Sequence, residues 1–215
     1  LLLDRSRVES SPQRKGEVYL RMAELVQREL HRPAEAVRLY GEALRSNPAL
    51  RERVRAGTEQ LLDARVRDPG LLAALAEIFE QLDEGSVVVD LLRRRAELAE
   101  EAQEKADLNC QLADVLQQQH APLEAVLEAY RGAAEASPLQ PGRILEGLKA
   151  ILESNPGSRT AMAILRRVYG DLHRWNEVLD LLEEEIELVR GAEAAELLCE
   201  LGAIEEERLF RPDRA

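Results

Sequence analysis

The stretch that decides the fold runs from residue 16 to residue 48 and reads GEVYLRMAELVQRELHRPAEAVRLYGEALRSNP. Its apolar spacing predicts two helices, at 14–30 and 33–46, joined by a turn short enough to make them antiparallel neighbours. Pro33 suits the first turn of the second helix. The residue before Pro48 disfavours the α region, so the second helix is expected to end there. The stretch therefore predicts a helical hairpin.

The same pattern recurs at an offset of 90 residues. The matches include Tyr40, Ala43 and Pro48 with Tyr130, Ala133 and Pro138, and VVVDLL at 87–92 with EVLDLL at 177–182. We expect the chain to hold about 2.4 copies of a ~90-residue unit. Because residues 207–215 echo residues 28–36, the sequence also predicts a fragment of a longer repeat protein.

The rest of the chain also reads as helical. Ala, Leu, Glu and Arg dominate the sequence, all are strong helix formers, and no strand pattern is found. The prolines lie between apolar-periodic stretches, which predicts further helices at 1–10, 49–66, 70–82, 86–101, 103–119, 122–136, 142–153, 158–171, 175–190 and 193–209. This gives five helices per unit. An odd number leaves two possibilities open: one pair forms a single kinked helix, or the 49–66 segment packs differently.

Residues 16–48 resemble a tetratricopeptide repeat. The positions that carry the resemblance are Tyr19, Met22, Ala23, Val26, Ala36, Tyr40, Ala43 and Pro48. In such repeats Ala or Gly lets two helices approach closely, and large side chains fill the space between them. The resemblance covers 14–48 and 103–138, and the start of a truncated repeat at 193–215. Residues 49–101 and 142–190 look like diverged helical repeats, and 1–10 like the end of a truncated one. The resemblance implies that 1–215 is a single all-α array, a right-handed α-solenoid of antiparallel helix pairs.

The resemblance further implies that the first helix of each pair lines a concave groove that binds a protein partner. The positions it assigns to the groove are Glu17, Leu20, Arg21, Glu24, Gln27, Asp107, Cys110, Gln111, Asp114, Gln117, Glu196, Cys199, Glu200, Ala203 and Glu206. Acids, small apolar residues and Gln dominate this set, which would repel a carboxylate tail. It suits a basic amphipathic helix or an extended basic peptide. The alternative is that these acids are only solvated helix surface.

Charge and composition exclude several classes of protein. The formal net charge of -12 argues against a general nucleic-acid or anionic-membrane binder, although residues 1–67 carry 14 basic and 10 acidic side chains. No apolar run approaches the ~18 residues of a membrane span. Two cysteines give no disulfide framework, which predicts a reducing compartment such as the cytoplasm. Arginine outnumbers lysine 26 to 3, which is typical of a GC-rich, bacterial genome.

No catalytic, cofactor-binding or metal-binding pattern is found in the sequence. The three histidines, His31, His120 and His173, fall at helix ends or turns, without the spacing of a metal site. Cys110 and Cys199 are interpreted as small buried residues. The run Glu183–Glu185 is interpreted as a solvated face and Trp175 as a packing residue.

The basic segment with Arg51, Arg53 and Arg55 is the strongest remaining oddity. We interpret it as a surface that could meet an acidic patch on another copy of the chain or on a partner, so that self-association is possible.

These observations predict a non-enzymatic protein–protein interaction scaffold. One alternative is an RNA-binding helical repeat, against which the overall acidity and the shortage of Lys and aromatic residues argue. Another is a helical accessory domain of an enzyme or regulator that lies outside this sequence.

Overall fold

The computed structural model describes residues 11–63, 66–136 and 139–209, and the helix predicted at 1–10 lies outside these ranges. Within them the protein is all-α, with eleven α-helices, one short 3-10 turn and no strand. None of the described helices is long and apolar enough to cross a membrane. The chain forms two compact units, divided between Ala99 and Glu100.

The first unit contains two hairpins with a single short helix between them. Its elements are α1 (Pro12–Arg28), α2 (Pro33–Ser46), a 3-10 turn (Pro48–Leu50), α3 (Arg51–Glu59), α4 (Pro69–Gln81) and α5 (Gly85–Leu98). Helix α1 packs on α2, α2 on both α3 and α4, and α4 on α5. Leu20, Tyr40, Leu72, Phe79 and Leu91 are among the large side chains buried between these helices.

The second unit has the same order of helices and one more at its end. Its elements are α6 (Ala102–Gln118), α7 (Leu123–Glu135), α8 (Gly142–Ser154), α9 (Arg159–Asp171), α10 (Trp175–Leu188) and α11 (Ala192–Glu207). Helix α6 packs on α7, α7 on both α8 and α9, α9 on α10, and α10 on α11. Except for α3, the described helix bounds confirm the predictions to within three residues.

Tight left-handed turns join the helices of each hairpin. The residues with positive φ are His31 (52°), Asp83 (62°), His120 (54°) and His173 (56°). Polar residues such as Asp and His tolerate this backbone region better than most. In all four turns the next backbone N–H bonds back into the helix, as from Ala121 to the Leu116 carbonyl at 2.9 Å. The histidines are therefore at helix ends, as predicted, where they close hairpins.

The predicted helix at 49–66 is wrong in its length. Helix α3 ends at Glu59. Beyond it, the backbone carbonyls of Asp63 and Val66 accept hydrogen bonds from the Arg94 guanidinium, at 2.7 and 3.0 Å. These bonds tie Asp63 and Val66, both of which lie outside the helix, to a side chain of α5.

In each unit a tyrosine ring packs closely on a glycine where the single helix, α3 or α8, contacts the preceding hairpin. A Cβ atom on Gly57 in α3 would lie 2.5 Å from Cζ of Tyr40 in α2. A Cβ atom on Gly147 in α8 would meet the Tyr130 ring of α7 even more closely. Only glycine leaves room for the ring at these two positions. Of the two possibilities left open for the fifth helix of each unit, the structure shows the second: this helix is separate and packs against the second helix of the hairpin.

We predict that Gly147→Ala destabilises the second unit by about 1–3 kcal/mol, because the added methyl group forces the Tyr130 ring out of its place. Gly142→Ala in the same helix is the matched control, since its Cβ would have no neighbour within 4 Å. Urea unfolding followed by circular dichroism measures both. Equal midpoints for the two variants would contradict the proposed role of the contact.

Candidate functional site

The α1 residues assigned to a partner groove are engaged inside the first unit. Leu20 is fully buried, so its assignment to an accessible groove is wrong. Arg53 of α3 reaches Glu17 at 2.9 Å and Glu24 at 3.5 Å. Of the five assigned side chains in α1, Arg21 is the one classed as exposed.

Gln27 acts as a link between three helices. Its side-chain carbonyl accepts a hydrogen bond from the Tyr40 hydroxyl at 2.7 Å, and its amide donates to the Gly57 carbonyl at 3.4 Å and to the Gln60 side chain at 3.3 Å. It therefore orients the tyrosine that packs on α3. Its position is explained by packing within the unit.

The corresponding face of α6 is partly closed in the same way. Cys110 is 2% exposed, so it too is wrongly assigned to an accessible surface. Asp114 pairs with Arg143 of α8 at 2.6 Å, and Asp107 accepts a hydrogen bond from Gln103 at 3.2 Å. Gln111 and Gln117 are exposed.

The assigned residues of α11 are more accessible. Glu196, Cys199, Ala203 and Glu206 are exposed, and the prediction that Cys199 is buried is wrong. Glu200 binds Arg166 of α9 at 2.9 Å.

Glu185 is buried between two arginines of α9. It is 4% exposed, and its carboxylate lies 3.0 Å from Arg159 and 3.1 Å from Arg166. Arg159 also reaches Glu193 of α11 at 3.1 Å. The interpretation of residues 183–185 as a solvated face is therefore wrong for Glu185. This carboxylate belongs to a network that holds α11 against α9 and α10.

The basic segment of α3 is also occupied within the chain. Arg53 binds the acids of α1, and Arg55 lies 3.0 Å from Glu84 and 3.2 Å from Glu59. Two of its three arginines thus have partners inside the first unit. The interpretation that this segment seeks an acidic patch elsewhere is not needed to explain them.

A groove of about 610 Å³ lies in the second unit, between α8 and α10 and above α9; we call it the α8–α10 groove. Met162, Leu165 and Tyr169 of α9 form its floor. Leu152 and Pro156 lie on the α8 side. Leu181 and Leu188 lie on the α10 side, and Leu188 is 50% exposed. The groove therefore offers apolar surface to a ligand.

Acidic side chains dominate the rim of the groove. Helix α10 presents Glu177, Asp180, Glu184 and Glu187, whose spacing of three and four residues places them along one face of the helix. Glu153 of α8 adds a fifth carboxylate, and Lys149 is the one basic residue in the lining. Asp180, Glu184, Glu187 and Glu153 make no ion pair with any residue in the described ranges. Their negative charge is not compensated there.

The end of the groove near Tyr169 differs from the rest. The Tyr169 ring has Arg174 on it at 4.9 Å and Lys149 at 5.9 Å, measured to the ring centroid. Arg174 also donates a hydrogen bond to Glu177 at 2.7 Å. This bond, with further help from Lys149, lowers the pKa of the Glu177 carboxyl. Two cations and a paired carboxylate therefore mark this end.

Trp175 packs beside this end of the groove. A Cβ atom on Gly170 would lie 3.7 Å from its indole, and Arg208 lies 5.3 Å from the indole centroid. The interpretation of Trp175 as a packing residue is consistent with these contacts.

Comparison with the models of known protein families gives no match, and comparison with curated protein sequences finds no relative.

No sequence pattern predicts the α8–α10 groove. Of its acids only Glu184 is covered by a prediction, as part of a solvated face, since nothing in one helix alone shows what lies opposite. The spacing of Glu177, Asp180, Glu184 and Glu187 places them on one face of the helix, but a solvated polar face has the same spacing, so it is not a signal for a groove.

We predict that Cys199 reacts with iodoacetamide at pH 8 and that Cys110 does not. Burial raises the pKa of the Cys110 thiol to about 11, so only about one molecule in a thousand carries the thiolate at this pH. Mass spectrometry of peptides after brief labelling measures both sites, and labelling in urea is the control in which both should react. Equal labelling of the two cysteines in the folded protein would contradict the buried position of Cys110.

Proposed function

We propose that this protein is a non-enzymatic, cytoplasmic interaction module that binds a basic, amphipathic segment of another protein in the α8–α10 groove. The observation that carries the proposal is the run of uncompensated carboxylates at Asp180, Glu184 and Glu187 beside the exposed apolar side chains of Pro156 and Leu188 in one groove. Such a surface attracts cationic side chains and at the same time removes apolar side chains from water.

The α8–α10 groove differs from the partner site that the tetratricopeptide resemblance implies on α1, α6 and α11. Glu17, Glu24 and Asp114 are paired with arginines of the single helices, so these acids are already neutralised. Asp180, Glu184 and Glu187 of α10 have no arginine partner among the described residues. A basic ligand therefore gains more from the α8–α10 groove than from the faces of α1 and α6.

The dimensions of the groove fit a short segment. Glu177 and Glu187 are ten residues apart in α10, which corresponds to about 15 Å along the helix axis. A ligand helix of about three to four turns covers this length. Its apolar residues at helical spacing would contact Leu152, Leu181 and Leu188, and its basic residues would face the rim.

We further propose that the two units are successive copies in a tetratricopeptide-like, right-handed α-solenoid. The helices that begin at Pro12, Pro69 and Gly85 have counterparts that begin 90 residues later. The glycine–tyrosine contact recurs at the same offset, since Tyr40 and Gly57 correspond to Tyr130 and Gly147. Helices that begin at equivalent positions and share the same glycine–tyrosine contact support a duplicated unit.

Small-angle X-ray scattering tests the array. A single compact globule of this length would have a radius of gyration of about 17 Å, and we predict a clearly larger value because solenoid units contact only their neighbours. A radius near the globular value in a monodisperse sample would contradict the array.

Peptide binding tests the function. We predict that a peptide of about 14 residues made of Arg, Leu and Ala in amphipathic helical order binds the protein, and that Glu184→Lys with Glu187→Lys weakens binding about tenfold or more, since two attractions become repulsions. Titration calorimetry at physiological salt measures the affinity.

The matched control carries the same change of charge outside the groove. Glu146→Lys with Glu183→Lys alters exposed acids of α8 and α10 that do not line it. This control should bind the peptide within about twofold of the unchanged protein, and a peptide with Glu in place of Arg should not bind. Equal weakening by both double variants would reduce the effect to net charge and contradict the site. Binding of mixed RNA in a gel shift would favour the alternative function.

A further inference from the structure

We infer that the partner segment lies in the α8–α10 groove in one direction, with its basic residues against Glu153, Glu184 and Glu187 and its non-basic end against Tyr169. This inference rests on the proposed function and adds the orientation of the ligand. It follows from the unequal charge of the two ends of the groove.

The Tyr169 end disfavours a cation. Lys149 and Arg174 both lie on the Tyr169 ring, and the nearest carboxylate, Glu177, is already bonded to Arg174. A basic side chain placed there meets two positive charges, which Glu177 and Asp180 balance, so this end is close to neutral and the opposite end is the acidic one. A neutral or apolar end of the ligand meets the exposed edge of this cluster without that repulsion.

The opposite end favours a cation. Glu153, Glu184 and Glu187 lie toward the ends of their helices, beside the exposed Leu188 and Pro156. Helices α8 and α10 both end here, at Ser154 and Leu188. The C-terminus of α8 adds partial negative charge, whereas Arg190 donates to the carbonyls of Glu187 and Val189 and offsets that of α10. Helix α9 begins at this end with the opposite sign, which leaves the three carboxylates as the main charge.

The first unit carries an arginine at the position equivalent to Glu184. Arg94 holds the corresponding place in α5, ten residues into a helix of equal length. The Arg94 guanidinium binds the backbone carbonyls of Asp63 and Val66, so this cationic side chain of α5 is bonded to its own chain. In the second unit the equivalent side chain of α10 is the anionic Glu184. The ligand must then supply the cation, and its basic residue is expected at Glu184.

Photo-crosslinking tests the direction. The probe is a peptide of about 14 residues with three arginines at one end, leucine and alanine in the middle and a benzophenone side chain at the other end. Two versions place the arginines at the N-terminus or at the C-terminus. In both versions we expect crosslinks to map around Lys149, Tyr169 and Glu177.

Two results would contradict the inferred direction: crosslinks around Pro156 and Leu188, or equal crosslinking at both ends of the groove. If the peptide still binds with unchanged affinity, the proposed binding function is not affected. A peptide that does not bind at all would contradict the proposed function itself. The two failures are thus distinguishable.

A second variant tests the same inference by affinity. Lys149→Glu reverses the charge at the Tyr169 end, so a peptide with arginines at both ends should gain about tenfold in affinity. The peptide with arginines at one end should change by less than about threefold. Equal gains for the two peptides would show that the cations of the ligand reach both ends, against the inferred direction.

Discussion

The contact between a tyrosine ring and a glycine backbone controls how each unit is assembled. Tyr40 on Gly57 and Tyr130 on Gly147 bring a single helix against a hairpin at a distance that no side chain in place of hydrogen allows. Burial raises the pKa of Tyr130 to about 12, so its hydroxyl stays protonated at any physiological pH. Since α8 is one wall of the α8–α10 groove, the shape of the groove depends on this contact.

The distribution of charge follows from the same arrangement. The single helices bring Arg53 and Arg143 next to the acids of α1 and α6, which neutralises the faces that the tetratricopeptide resemblance assigns to a partner. Exposed ion pairs of this kind contribute about 1 kcal/mol or less to stability. Their main effect is therefore on the charge of the surface, because they neutralise acids of α1 and α6, whereas Asp180, Glu184 and Glu187 of α10 stay unpaired among the described residues.

The sequence was sufficient for the helices and insufficient for the surfaces. Proline and apolar spacing located α6 and α10 to within two residues, because these signals act within one helix. The path of Asp63 and Val66 after α3 could not be predicted, since both are bonded to Arg94, which comes 35 residues after Glu59. The same limit explains Leu20 and Cys110, whose burial depends on neighbouring helices, and the pairing of Glu185 with Arg159. The α8–α10 groove needs three helices at once, and no single stretch of sequence contains it.

The difference between Arg94 in the first unit and Glu184 in the second also affects how many binding sites a longer chain of such units would have. Two units with the same order of helices differ at this position: Arg94 in the first binds the chain's own backbone carbonyls, and Glu184 in the second has no ion pair among the described residues. A chain assembled from several units of the second kind would hold several acidic grooves and could engage a partner with repeated basic segments by avidity. Units of the first kind would serve in such a chain as spacers, so the number of binding sites could change independently of the number of helices.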